Sequence, residues 1–365
     1  MFRMSCSLDS VARSITEGLL SSPGHGPSAV AVGVSDLEHD LVRSVRGHSR
    51  VLGLAEPAPL ADEPVFDVGS VTKVVVTTGL VMMLVDRRAL GLDDPVARWF
   101  PGLDERITVR DLLEHQAGLW EWWPIYVAGA TTAAEAMAVI QELPLRYAPR
   151  SGRHYSDLGF MLLGEIVAAE LGAGLDEVAA GELFGPLGLR STCFRPVELS
   201  DRVVATSRGD WYEQRMVDTG SPYPVPVRSD AFAGWRTHPL VGEVNDGNCW
   251  HAFGGVSGHA GLFTTVPDLT RFGRAVLSSL RGRGPWSADV VAEFVRAGRN
   301  AGQGLGFRVS PAGTGWHPGF PGARFAVVPD RGLVVVLLTN RLHTTGEPRG
   351  IDPEWAQLID AVEAG

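Results

Sequence analysis

The spacing of apolar residues changes several times along this 365-residue chain, and each spacing points to an element. In the first 22 residues Leu8, Val11, Ile15, Leu19 and Leu20 fall on one face of a short amphipathic helix. "PSAVAVGVSD" (27–36) and "HDLVRSVRGHSRV" (39–51) read as two strands joined by a polar turn. In "FDVGSVTKVVVTTGL" (66–80) and just beyond it, Val71, Val74, Val75, Leu80, Met83 and Leu84 are apolar nearly all round. That pattern predicts a buried helix starting near Ser70 and ending before Gly91.

From about 92 to 245 the pattern turns helical, with candidates at 107–116, 133–143, 157–172 and 175–188. The stretch 205–245 is rich in Pro, Gly and Trp and has little periodicity, so it reads as a loop-rich cover. After 250 strands return, with "GHAGLFTT" (258–265) running from loop into strand. A helix follows over 266–280, then strands over 304–310, 313–319, 323–330 and 332–340, and a last helix over 352–364. Strands at both ends and helices between them predict an α/β (α+β) chain, with one sheet built from both termini. Residues 1–90 and 246–365 would form the sheet lobe and 91–245 a mainly helical insert.

A hydrophobic share of 45% and a charged share of 20% describe a globular protein, and the net charge of −10 disfavours nucleic acid and anionic membranes as partners. No stretch approaches ~20 uncharged apolar residues, so no membrane span is expected. The N-terminus has no apolar core of signal-peptide length, which makes the cytoplasm the expected location. Cys6, Cys193 and Cys249 are far apart and expected to be free thiols. No P-loop, dinucleotide fingerprint or metal-ligand spacing is present, so no cofactor or metal is expected.

Charge becomes informative at one position. Of 32 basic residues 31 are arginine, and the single lysine, Lys73, sits three residues after Ser70 inside the apolar run. A serine hydroxyl needs a neighbouring base. Arginine stays charged, whereas a lysine can serve if burial and nearby positive charge lower its pKa. One turn apart, the two side chains share a face, and the helix N-terminus beside Ser70 favours an oxyanion. The bland alternative is a capping serine and an ordinary surface lysine.

"FDVGSVTK" (66–73), "ITVRDLLEHQAGL" (107–119), "YAPRSGRHYSDLGFMLLGEIV" (147–167), "GEVNDGNCWHAFGGVSGHAGLFTTVPDL" (242–269) and "GWHPGFPG" (315–322) occur in an order that resembles the serine β-lactamase and penicillin-binding-protein-like family. The likeness is to its class C and carboxylesterase branch. It implies a two-lobed fold with an antiparallel sheet flanked by helices and the active site at the lobe interface. It implies S-x-x-K in Ser70 and Lys73, and Y-x-N in "YSD", giving Tyr155 as partner base and Asp157 in place of Asn. K-T-G, or H-T-G in esterase-like members, becomes "HPG": His317, Pro318 and Gly319. The oxyanion hole would be the N–H groups of Ser70 and Phe320, and Lys73 and His317 would help to lower the Tyr155 pKa. Trp120, Trp122 and Trp123 could form an apolar pocket or pack in the core. His259 is expected to order a loop, and "GGVSGHAG" fails as an α/β-hydrolase elbow at His259.

The departures bear on substrate. Asp157 adds a negative charge that would disfavour acid-bearing substrates, and Pro318 removes a hydroxyl and a backbone donor. The expected function is therefore a serine esterase or transacylase that acts on a small ester or activated acyl group, with water, an amine or an alcohol as acceptor. A β-lactamase or D-peptidase is one alternative, and an idle binding or sensor module on the same fold is another.

Overall fold

The computed structural model describes residues 2–22 and 24–364. Its strands, in chain order, are β1 (Ala29–Ser35), β2 (Asp40–Arg50), β3 (Ala58–Pro59), β4 (Phe66–Asp67), β5 (Cys193–Phe194), β6 (Leu262–Thr264), β7 (Arg308–Val309), β8 (Gly315–Gly319), β9 (Ala323–Val328) and β10 (Leu333–Thr339). Seven of them form one antiparallel sheet in the order β3-β2-β1-β10-β9-β8-β7. Segments before residue 60 and after residue 307 thus share one sheet, and the helices flank it.

Both faces of the sheet are covered, and its central strands are buried at every position. Val30, Val32 and Val34 of β1 and Val335 and Leu337 of β10 point to one side. There they meet Leu8, Ala12, Ile15 and Leu19 of the helix Phe2–Leu20, and Trp355, Leu358 and Val362 of the helix Asp352–Ala364. Ala29, Ala31, Val334, Val336 and Leu338 face the other way, against Leu269, Phe272 and Val276 of the helix Val266–Leu280. That helix comes close because glycines make room. A Cβ on Gly33 would lie 2.3 Å from Val266 Cγ1, and one on Gly273 would lie 2.5 Å from Val334 Cγ1.

The helix behind the S-x-x-K segment is not uniformly α-helical. Lys73–Thr78 is wound as a π-helix and Gly79–Asp86 as an α-helix, with every residue from Lys73 to Leu84 buried. Other expectations shift for local reasons. The segment 107–116 shortens to Val109–Leu113, whose start is fixed by a Thr108–Asp111 capping box. The segment 175–188 is broken into Leu175–Ala179, a π-helical Ala180–Phe184 and Gly185–Leu187. Only Arg308–Val309 of 304–310 is strand. Gly306 turns at φ +81°, and a Cβ there would lie 2.1 Å from Thr78 Oγ1.

Within the stretch read as loop, Trp211–Thr219 is a helix. It buries only Glu213, Met216 and Val217, too few positions to write an apolar stripe into the sequence. The helices Gly247–Phe253 and Ala288–Val295 and a small sheet, β4-β6-β5, were not anticipated either. Cys193 and Cys249 are free thiols, while the Cys6 side chain lies outside the described residues. Among the described residues no single helix is long and apolar enough to cross a membrane.

Candidate active site

β4 leads directly into the site. Asp67 accepts the N–H of Gly69 at 2.9 Å and that of Asn245 at 2.8 Å, and Gly69 adopts a left-handed φ of +49°. A side chain on Gly69 would collide with Pro321 Cδ at 2.5 Å and would lie 3.3 Å from the Phe320 nitrogen. Glycine is therefore required both by the turn and by the close approach of the 320–321 backbone. Thr72 ties the turn to the small sheet: its Oγ1 donates to the Gly69 carbonyl at 2.6 Å and accepts the Leu262 N–H at 3.2 Å.

Ser70 follows this turn and Lys73 lies one turn further on, fully buried. Lys73 Nζ donates to Ser70 Oγ at 2.8 Å and to the His259 carbonyl at 3.1 Å, and it lies 2.7 Å from Asp157 Oδ1. The Tyr155 phenol is in hydrogen-bonding reach of both Ser70 and Lys73, with its ring centroid 5.1 Å from Nζ. Two segments far apart in sequence thus converge on one hydroxyl.

The charge state of the lysine corrects the expectation drawn from the sequence. Burial alone would push its pKa down, but the Asp157 carboxylate, aided by Tyr155, outweighs burial and moves it above the ordinary lysine value. Lys73 rests as an ammonium, not as a free amine. Asp157 lines the pocket and is at the same time that ammonium's counter-ion. Burial raises the Tyr155 pKa, and the opposing pull of Lys73 does not reverse it.

His317 also differs from expectation. It is buried, its Nδ1–H donates to the Pro318 carbonyl at 2.7 Å, and burial together with the Lys73 charge holds its pKa well below the usual histidine range. A neutral imidazole contributes no positive charge to Tyr155. Its ring packs 6.0 Å from that of Tyr155, while His115, missed in the sequence, packs at 4.5 Å from the other neighbouring segment. Burial, with the charges of Arg153 and Lys73, keeps His115 neutral as well.

Ser70 opens into a pocket of about 330 Å³. Trp122, Met216, Pro222, Tyr223 and Phe320 supply apolar surface; Asp157, Glu213 and Asp246 supply acid; and Arg308 lines the cavity beside them. Gly319 lines it because nothing larger fits: a Cβ would lie 2.1 Å from the Val68 carbonyl oxygen. Trp120 does not reach the pocket. Its Nε1–H donates to the Pro144 carbonyl at 2.9 Å, its ring meets Trp123 edge-on, and Arg146 stacks on it. Among the described residues Arg308 has no carboxylate partner, and its guanidinium lies 4.9 Å from the Trp316 ring centre.

His259 holds the loop behind the lysine. Nδ1 meets Ser257 Oγ at 2.8 Å and Nε2 meets Asp246 Oδ1 at 2.9 Å, while Asp246 Oδ1 also accepts the Cys249 N–H at the start of a helix. Burial raises the Asp246 pKa, but His259 and its other partners bring it below the ordinary value. Next to it Glu213 accepts the Tyr126 hydroxyl at 2.7 Å and the Gly247 N–H at 2.9 Å, and burial pushes its pKa up to about 8. An Asp three residues before Cys249 is a legible N-cap signal for Asp246. No comparable signal marks Glu213, one of two acids in a polar helix.

The Beta-lactamase family model matches residues 29–358. A putative D-alanyl-D-alanine carboxypeptidase of Salmonella gallinarum is 28% identical over 329 residues, covering 80% of this chain and 72% of that protein. Among solved structures, EstCE1, a hydrolase with promiscuous acyltransferase activity, superposes with a TM-score of 0.73 at 20% identity, covering 98% of this chain and 99% of that one. A class C β-lactamase from Rhodobacter sphaeroides gives 0.68 at 17% identity, covering 97% and 99%.

Proposed function

We propose, for a chain that belongs to the Beta-lactamase family, that Ser70 forms an acyl-enzyme with a small ester or activated acyl compound. The acyl group then passes to water or to a bound amine or alcohol. The observation that carries this reading is the 2.8 Å contact from Lys73 Nζ to Ser70 Oγ beside the Tyr155 phenol, at the wall of a pocket. The N–H groups of Ser70 and Phe320 are assigned to the carbonyl oxygen, where developing charge is greatest.

Three features favour an ester over a β-lactam. The wall formed by Trp122, Met216, Tyr223 and Phe320 suits an uncharged acyl or alkoxy group. Pro318 offers no N–H on the strand beside the site. Asp157 is engaged with Lys73 and is not available as an amide-holding Asn. The resemblance in fold to a hydrolase with promiscuous acyltransferase activity agrees with a site that can hand its acyl group to more than water.

The test is a panel of short-chain and aryl esters, with and without amine acceptors, followed by product analysis. Turnover of esters, with amide formed when amine is present, supports the reading. Rapid turnover of a chromogenic cephalosporin with inert esters overturns it. Arg308 favours a second reading. An unpaired guanidinium in the pocket is suited to a substrate carboxylate, as a D-peptidase would require.

A further inference from the structure

The aspartate of "YSD" is the position at which the site departs furthest from the Y-x-N pattern that it resembles, and the departure falls on the lysine. Asp157 Oδ1 lies 2.7 Å from Lys73 Nζ, with Lys73 fully buried and Asp157 13% exposed. An asparagine there would offer a neutral amide, whereas an aspartate offers a full countercharge. The placement is fixed by backbone. The Asp157 N–H donates to the Glu121 carbonyl at 2.8 Å, and Ser156 caps the helix Asp157–Leu171 while its Oγ–H donates to the Trp120 carbonyl at 2.6 Å.

Other groups face the pair from every side. Ser70 Oγ and the His259 carbonyl take protons of Nζ, and the Tyr155 phenol lies beside it. His115 and His317 flank Tyr155 and are held neutral by burial. Asp246 acts on Lys73 from further away and is engaged with His259, and Tyr223 approaches Asp157 from the cavity side. Asp157 is the carboxylate in direct contact with the ammonium.

We propose that Asp157 is the proton-balancing partner of Lys73 in acyl transfer, a role that rests on the Ser70 acyl-enzyme reading. In the resting site Ser70 is a hydroxyl, Lys73 an ammonium and Asp157 a carboxylate. As Ser70 Oγ bonds to the carbonyl carbon, one Nζ proton passes to Asp157 and the freed lone pair takes the Ser70 proton. The carbonyl π electrons move to oxygen, in reach of the backbone donors. On collapse the bond from carbon to the leaving oxygen breaks. That oxygen takes the Tyr155 proton, Tyr155 is refilled from Lys73, and Asp157 returns its proton to the amine. Net charge is the same before and after. Burial lowers the cost of passing through the neutral pair, because separated charges are costly where water is excluded.

The sole lysine makes the test direct. Full-length protein labelled with 13C at lysine Cε gives one lysine signal. Its midpoint should lie at least about one pH unit lower in Asp157→Asn than in wild type, the effect of removing an opposite charge at contact distance. The pH profile of Ser70 phosphonylation by a fluorophosphonate, read by intact mass, should move to lower pH by a similar amount. An unchanged or raised midpoint, or superimposable profiles, overturns the proposal. If the variant does not fold, the wild-type signal alone decides: an amine already deprotonated at pH 9 refutes the role. Wild type that takes no phosphonate refutes the acyl-enzyme reading, and the lysine titration still judges Asp157.

Discussion

Asp67 accepts the Gly69 N–H at 2.9 Å and so fixes the left-handed turn that delivers Ser70 to the pocket. The carboxylate is fully buried, and desolvation pushes its pKa up to about 6. Glu213, with a value of about 8, carries the same sign on the far wall. Folding therefore favours the protonated form of both acids, and stability should fall as pH rises from about 4 towards 8. Denaturant midpoints of wild type and Glu213→Gln between pH 5 and 9 test this. The variant should show the shallower slope above pH 6, and parallel curves would count against the assignment.

Removing the nucleophile should separate chemistry from folding. Ser70→Ala should lose all covalent labelling and lower kcat/KM on esters by about 10⁴-fold or more. Its thermal midpoint should stay near wild type, since Ser70 is only partly buried and packs no core. Labelling of the variant at another serine would move the nucleophile elsewhere.

At position 73 charge alone should not suffice. Lys73→Arg keeps a cation but cannot give up a proton, and it puts a larger, planar head into a fully buried position. Lys73→Met leaves Asp157 without its partner, at a cost of about 3 kcal/mol. Both variants should lower kcat by about 10²–10⁴-fold, and Met should also lower the denaturant midpoint. Wild-type rates in Lys73→Arg would remove proton transfer at this residue from the mechanism.

Gly319→Ala is expected to harm activity well beyond the size of a methyl group. The added carbon would collide with the Val68 carbonyl and push the Phe320 N–H away from Ser70. The loss should appear in kcat more than in KM, because the donor acts on charge formed in the transition state. Equal losses in binding and turnover would argue against Phe320 N–H as an oxyanion donor.

Arg308→Ala discriminates between substrate classes. A neutral ester should lose little, within about threefold, whereas a carboxylate-bearing substrate should lose about tenfold or more in kcat/KM. Equal effects on both would mean that Arg308 shapes the wall without reading charge.

Long apolar elements were legible in the sequence: β1 and β10 are continuous buried runs, and the helix after Ser70 is apolar nearly all round. The pairing of Ser70 with Lys73 was legible because only one lysine exists to be explained. The electrostatics were not. Whether Lys73 is free or charged depends on Asp157, 84 positions away in sequence, and no spacing rule reports a 2.7 Å contact between them. Trp120 stayed open between pocket and core for a related reason, since "WEWW" does not show which indole faces the cavity. Trp122 does, and Trp120 turns towards Pro144. The helix Trp211–Thr219 was hidden because its buried face consists of a carboxylate, a methionine and a valine.

The π-wound segment at Lys73–Thr78 has a bearing on evolution by insertion and deletion. Such a wide turn holds one residue more than an α-helix needs for the same rise. Losing one position there would let the coil tighten to an α-helix while the turns on either side keep their mutual orientation. Amine and hydroxyl would still look toward the carboxylate and phenol that come from the other side of the cleft. A gap in this stretch should therefore be tolerated better than one in the regular helix Gly79–Asp86, where each lost residue turns the two halves by about 100°.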